Sequence, residues 1–218
     1  MDYSKAFGVS DLFWLFCKTS RLTLSTGVAW TAAVEGTGIT SLAPGYIYLN
    51  TGLTASSTAL LRAYTIGMGA GEQVIRTFNF AKRFSIGFTV GVDAVNANSV
   101  RYVQLKAAAT IGDLAAPGIG IKIVNATLYG ESYGSERGTI ELMTLTSTKE
   151  YQMEIQHNPI AGEINFCVGG VLKGQITTAA YIPNATEALV NMFCSVSNGA
   201  TGAEIKMFVS PPELVMEI

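Results

Sequence analysis

Catalysis needs functional groups in pairs or clusters, and this sequence spreads them thinly. Its acidic residues number 16 and its histidines one, His157. Glycoside hydrolysis requires two carboxylates flanking the scissile bond. Glu141 and Glu154 stand isolated between apolar neighbours, and Glu131 and Glu136 fall in a glycine-rich stretch that reads as a loop, so each is expected to be a solvated carboxylate. A histidine-based metal site needs more than His157. Asp93, Asn96 and Asn98, in VDAVNANS, are hard oxygen donors of the kind calcium takes, but the same residues are the default choice for a turn. With one carboxylate among them the turn reading prevails. No Gly-x-Ser-x-Gly elbow occurs, and the glycine-rich 67–71 lacks the Lys-Ser/Thr of a phosphate loop. The expectation is a protein that is not an enzyme, with no catalytic residue, cofactor or metal.

Binding a carbohydrate asks less: an aromatic platform and a few amide or carboxylate hydrogen bonds in a groove. Tyr129 and Tyr133, with Glu131 between them and Asn125 nearby, supply those types within nine residues. Trp30 and Tyr181 are further aromatics able to stack on a sugar, although most aromatics of a sandwich belong to its core.

The elements that must carry such residues are strands. Short runs with period-two alternation are separated by Gly, Pro and Asn, as in a sandwich or barrel. Candidates are 28–34, 46–49, 58–65, 74–80, 84–93, 100–108, 119–129, 139–144, 151–157, 164–168, 172–176, 189–196 and 204–209. In 84–93, Phe84, Ile86, Phe88, Val90 and Val92 face one way, while Ser85, Gly87, Thr89 and Gly91 leave the other face thin. No repeat of fixed period and no linker interrupts them, so 27–210 reads as one domain, preceded by a segment 1–26 and followed by a tail 211–218. Tyr3, Phe7, Phe13, Trp14 and Phe16 make the first segment unusually aromatic, a candidate arm for a neighbouring subunit. Pro211 and Pro212 open the tail.

Charged residues make up only 14% of the 218, the net charge is −2, and the basic residues are scattered. That argues against a nucleic-acid partner. No apolar run approaches the roughly 20 residues of a bilayer span, and no signal peptide is evident, so neither a membrane nor export is expected. Cys17, Cys167 and Cys194 lack CxxC spacing, and the last two read as buried thiols in strands rather than a disulfide.

The stretch 151–176, YQMEIQHNPIAGEINFCVGGVLKGQI, carries a resemblance. Gly162, Ile164, Phe166, Val168, Gly170 and Leu172 form a pattern similar to that of the concanavalin A-like lectin/glucanase superfamily. The Thr-Gly-rich entry 49–57, the strand 84–92 and Gly118-Ile119-Gly120-Ile121 fit it as well. Where that superfamily often has an aspartate before the turn glycine, this chain has Gly169, which points to a tight primed turn at Gly169-Gly170. The resemblance implies an all-β, jelly-roll β-sandwich of two antiparallel sheets. The glucanase branch carries a Glu-x-Asp-x-Glu triplet, and it is missing here. Sandwiches of this kind also resemble structural proteins of viruses and bacteriophages. The expectation is therefore a virion structural protein (capsid, decoration or fibre) forming a homo-oligomer or binding other virion proteins through 3–16 and 211–218, located in the virion or otherwise the cytoplasm. The alternative is a lectin-like module binding a carbohydrate on a host surface.

Overall fold

Alternating apolar side chains bury one face of an extended chain only if a second layer covers it, and here two sheets cover each other. The computed structural model describes residues 12–16, 30–35, 38–43, 46–64, 78–93, 98–108, 110–146, 149–187, 190–200, 202–210 and 212–217. Among them are eighteen strands: β1 (Leu12–Phe16), β2 (Trp30–Glu35), β3 (Ile39–Ala43), β4 (Tyr46–Asn50), β5 (Thr58–Tyr64), β6 (Phe78–Asn79), β7 (Phe84–Val92), β8 (Val100–Lys106), β9 (Gly118–Val124), β10 (Thr127–Tyr133), β11 (Arg137–Thr144), β12 (Lys149–Asn158), β13 (Glu163–Val168), β14 (Val171–Ile176), β15 (Thr186–Glu187), β16 (Asn191–Ser197), β17 (Lys206–Val209) and β18 (Glu213–Glu217). One sheet runs β14-β13-β12-β7-β17-β4-β3, with β18 on β7 and β1 on β18; the other runs β11-β10-β9-β8-β16-β5-β2. Every pairing is antiparallel.

Between the sheets lie Ile86, Phe88 and Val90 of β7, Met153 and Ile155 of β12, Val103 and Leu105 of β8, Ile119, Ile121 and Ile123 of β9, and Met192 and Val196 of β16. Burying each such side chain contributes about 1.5–3 kcal/mol. The layers interlock closely at one point: a Cβ on Gly130 of β10 would lie 2.7 Å from the Phe166 ring of β13. Cys167 and Cys194 lie on opposite sheets and form no disulfide.

The turns follow their residues. Gly169 and Gly170 have φ of 59° and 77°, the doubly left-handed geometry of the type I′ hairpin turn that the Gly-Gly pair calls for. The expected strand 119–129 is instead two, β9 and β10, because Asn125, at φ 55°, opens a two-residue turn with Ala126. Asparagine tolerates that conformation better than other side chains.

The terminal segments also differ from expectation. The strand β7 pairs along its whole length with β12, and its other edge is shared. β17 takes Val90–Val92 and β18 takes Phe84–Gly87. Ser210 joins them, its N–H donating to Thr89 O and its Oγ accepting from Thr89 N–H, both at 2.8 Å. Pro212 is buried beside this junction. The segment of Phe13, Trp14 and Phe16, expected as an arm, is β1, in register along β18 from Leu12 opposite Glu217 to Phe16 opposite Glu213. Leu12–Phe16 thus docks on the chain's own sheet through β18, covering the outer edge of that strand. Tyr3, Phe7 and Pro211 lie outside the described residues.

His157 ends β12 in the core. Its ring stacks on Phe84 at 4.5 Å between centroids, with Nε2 2.8 Å from the Pro183 carbonyl and Nδ1 3.3 Å from that of Lys82. Burial pulls its pKa down to about 4 against the weaker pull of those carbonyls. A histidine depressed in the folded state is protonated first in the unfolded chain, so its contribution to stability is present above about pH 6.5 and fades toward pH 4. The cost of His157→Gln, measured by urea unfolding, should accordingly be greatest at pH 7–8 and shrink steadily as pH falls to 4. A cost independent of pH would show that the folded ring titrates normally.

Candidate functional site

On the sheet containing β8, β9 and β10, alternate residues point away from the core. Register aligns them in rows across the strands: Tyr129 with Lys122 and Tyr102, Glu131 with Gly120 and Gln104, Tyr133 with Gly118 and Lys106. The row through Gly118 continues to Asn191 of β16. A Cβ on Gly120 would come within 2.4 Å of the Val103 carbonyl and 2.7 Å of the Gln104 Cα. With no side chain between them, Gln104 Nε2 and Glu131 Oε1 meet over Gly120 in a short hydrogen bond.

Residues 110–117, between β8 and β9, lie over this row. Gly112 carries φ of 119°, and its carbonyl accepts from Gln104 Nε2 at 3.1 Å and from Lys106 Nζ at 3.4 Å. Asp113 accepts from Lys122 Nζ at 2.6 Å, from Tyr102 Oη at 3.0 Å and, through its second oxygen, from Arg137. Leu114 is buried, and the Ala107 N–H donates to Pro117 O at 2.8 Å, closing the loop at its base.

This arrangement sets the electrostatics. Glu131 is 1% exposed, and burial, reinforced by the Asp113 charge and opposed by the Gln104 bond, pushes its pKa up to about 7. Lys106 is equally enclosed, with Nζ 4.5 Å from the centre of the Phe193 ring, and burial pulls it down to about 8 against the attraction of Glu131 and Asp113. Burial alone would raise the Asp113 carboxyl, but the bonds from Lys122 and Tyr102 and the Lys122 and Arg137 charges hold it below the ordinary value. Burial and Asp113 push the Tyr102 phenol up. Three acceptors on this face, Glu131 Oε2, Gln104 Oε1 and Asn191 Oδ1, are buried without a hydrogen-bond donor. Such orphaned atoms are uncommon in folded proteins and call for a partner.

Of the sequence candidates, the structure brings together Tyr129, Glu131 and Tyr133, with both tyrosines half-buried. Glu131 is in a strand and enclosed, not in a loop and solvated: Gly130 reads as a turn residue but is held in β10 by the Phe166 ring. Asn125 is exposed in the β9–β10 turn, at the far end of the strand from Tyr133. Tyr181 packs against Gly138 and the core. Asp93 is committed to Arg101 Nη2 at 3.4 Å and to the Lys206 N–H at 3.1 Å, and Asn98 sits at φ 62°, so these two behave as ion-pair and turn residues; Asn96 lies outside the described residues. Among the described residues no three His, Cys, Asp or Glu side chains gather as a metal site. Sequence reading missed Gln104, Lys106, Asp113 and Lys122, although Tyr102, Gln104 and Lys106 alternate with Val103 and Leu105, a polar face in an otherwise apolar run.

No protein-family model matches the chain, and no curated protein matches it. Solved structures do. A protein of unknown function from Shewanella oneidensis MR-1 superposes with a TM-score of 0.62 at 14% identity, over 96% of this chain and 88% of that one. A sialidase gives 0.58 at 12% identity, over 85% of this chain and 16% of the sialidase. Botulinum neurotoxin type C, whose cell entry depends on interaction with two ganglioside molecules, gives 0.57 at 13% identity, over 92% of this chain and 46% of that one. The chain thus spans about a sixth of the sialidase and under half of the toxin chain. At these identities the likeness establishes the fold, which is a concanavalin A-like β-sandwich.

A glutamate raised to about 7 when folded, from 4.5, contributes stability that is full below pH 4.5 and lost as pH rises through 7. A glutamine at 131 keeps the shape, cannot ionise and still accepts from Gln104 Nε2 through its amide oxygen. Glu131→Gln should therefore raise the melting temperature relative to wild type by an amount that grows between pH 4.5 and 7 and levels off above. A gain that does not vary with pH, measured by thermal scans across that range, would place an ordinary, solvated carboxyl at 131.

Proposed function

We propose that this chain is a carbohydrate-binding module, and that the outward face of β8–β10 is where it binds. The observation that carries this reading is the row Tyr129–Glu131–Tyr133: two half-buried aromatic rings on one strand face, flanking an enclosed carboxyl whose second oxygen has no donor. Rings stack on the apolar face of a sugar, while orphaned acceptors suit its hydroxyl donors. Two of the structural neighbours, a sialidase and a ganglioside-dependent toxin, are consistent with it without establishing it. Binding rather than hydrolysis is favoured because no Glu-x-Asp-x-Glu strand is present. The virion reading rested on a weakly charged sandwich with terminal segments for contacts; of those segments, β1 and β18 pair with each other. None of the three neighbours is described as a virion protein.

A panel of immobilised neutral and sialylated glycans should retain the wild-type chain. Tyr129→Ala and Tyr133→Ala should each weaken binding about tenfold, the effect of losing one well-packed aromatic contact. Silence across the panel, or binding indifferent to both substitutions, would remove this face as the site.

A further inference from the structure

The groups best suited to grip a sugar are covered. Gln104, Lys106, Glu131 and Asn191 are each at most 2% exposed. What covers the first two is the chain itself, through residues 110–117. Resting on the carbohydrate reading, we propose that 110–117 is an autoinhibitory strap. The Gly112 carbonyl stands where a ligand oxygen would be held by Gln104 and Lys106, and Asp113 is the latch that keeps it there.

The contacts separate into two kinds. The strap reaches the covered groups through a single backbone oxygen, which accepts from Gln104 and Lys106 at 3.1 and 3.4 Å. That contact satisfies two donors and leaves three acceptors orphaned: Glu131 Oε2, Gln104 Oε1 and Asn191 Oδ1. A bare carbonyl cannot donate, so the strap fills the place of a ligand without matching its chemistry. The complement is a group with both acceptor and donor capacity, such as a pair of neighbouring hydroxyls on a pyranose ring. The latch lies outside. Asp113 is about a third exposed, as is the Lys122 side chain in part, and Arg137 is more open still. Ion pairs at such exposure are worth little apiece and exchange readily with water. Leu114 anchors the strap by its buried side chain, and beyond that contact the strap is fastened at its accessible rim and imperfectly matched beneath.

The same geometry makes the strap respond to pH. The ionisable groups facing Glu131 are Lys106 and Tyr102 on β8, Lys122 on β9 and Asp113 on the strap, with Arg137 on β11 acting on Asp113 and Tyr102. When the strap lifts, Gln104, which bonds both the Gly112 carbonyl and Glu131, is released, water reaches Glu131 beside it, and its carboxyl returns toward the ordinary range. The closed state then holds one more proton between about pH 4.5 and 7, and raising the pH through that window favours opening. Asp113 stays ionised throughout, so the latch does not reverse the trend. Lys106, pulled down to about 8, titrates above this window and opposes opening there, so the response is read below pH 7.

Amide hydrogen exchange of the full chain, followed by mass spectrometry and corrected for intrinsic rates, reads the strap without any ligand. Asp113→Asn should speed exchange in 110–117 about tenfold while β9 and β10 exchange as in wild type. Wild-type strap exchange should rise several-fold from pH 5.5 to 7, and Glu131→Gln should abolish that rise. If Asp113→Asn fails to fold, Arg137→Gln loosens the same latch from its exposed side and should accelerate the strap in the same direction. Unchanged strap exchange in the folded latch variant, or a pH response that survives in Glu131→Gln, overturns the strap. Sugar binding that tightens in Asp113→Asn supports both readings. A strap that opens as described in a protein that binds no glycan sinks the carbohydrate reading and leaves the strap standing.

Discussion

Every N–H and C=O along β7 must find a partner, and the rest of the sandwich is arranged to provide it. An unpaired edge in the middle of a sheet is costly, because buried backbone groups without hydrogen bonds forfeit their solvation. One edge is met by the uninterrupted strand β12. The other is met in two pieces, β17 and β18, because Ser210 pairs with Thr89 through both its backbone and its side chain. The junction lets the chain cross from one end of β7 to the other with Pro212 enclosed beside it. Once β18 is fixed, its own outer edge needs covering, and β1 lies along it. The two ends of the chain are thus drawn into one sheet by a single strand's demand for partners.

The opposite sheet shows what the absence of side chains can do. Gly118 and Gly120 in β9 have no room for a Cβ against Lys106 and Gln104. Their bareness allows groups on β8 and β10, two strands apart, to meet directly. A β-branched residue at 120, the usual choice for a strand, would force Gln104 and Glu131 apart and leave each to solvent. Gly130 does the corresponding work on the inner face, where Phe166 occupies the space its side chain would take. One strand therefore has a large aromatic pressed against one side and a buried carboxyl held two atoms' reach from an amide on the other.

Much of the fold was legible because period two is a physical consequence of the pleat. The hairpin of β13 and β14 could be read from Ile164, Phe166 and Val168 and from the two glycines. The terminal strands could not: Leu-Phe-Trp-Leu-Phe is apolar at every position, so no alternation marks it as β1. Asn125 hid the break between β9 and β10, since a two-residue turn scarcely interrupts the pattern. At the site, Tyr129, Glu131 and Tyr133 were legible as a strand-like triplet of suitable types, but Glu131 was placed in a loop because Gly130 and Gly134 surround it. Gln104, Lys106 and Asp113 come from another strand and a connecting loop. Only register, set by pairing across the sheet, makes them neighbours.

The enclosed polar face is poorly explained by stability. Replacing a buried ion pair or polar network with apolar side chains of similar volume is often neutral or stabilising, whereas a half-satisfied network is worse than an apolar core. Here Glu131 is held near neutrality by burial, Lys106 is drawn toward its neutral form, and three acceptors have no donor. Strands whose opposite face buries Val103, Leu105, Ile121 and Leu128 so cleanly show that the chain can build an apolar interior where one is wanted. The polar row lies on the other side of the same strands, under a loop fastened by surface charges. The polarity there suits recognition of a polar molecule, the role proposed above for this face, and the buried Glu131 carboxyl with its unpartnered oxygen fits that proposal better than it fits a structural core.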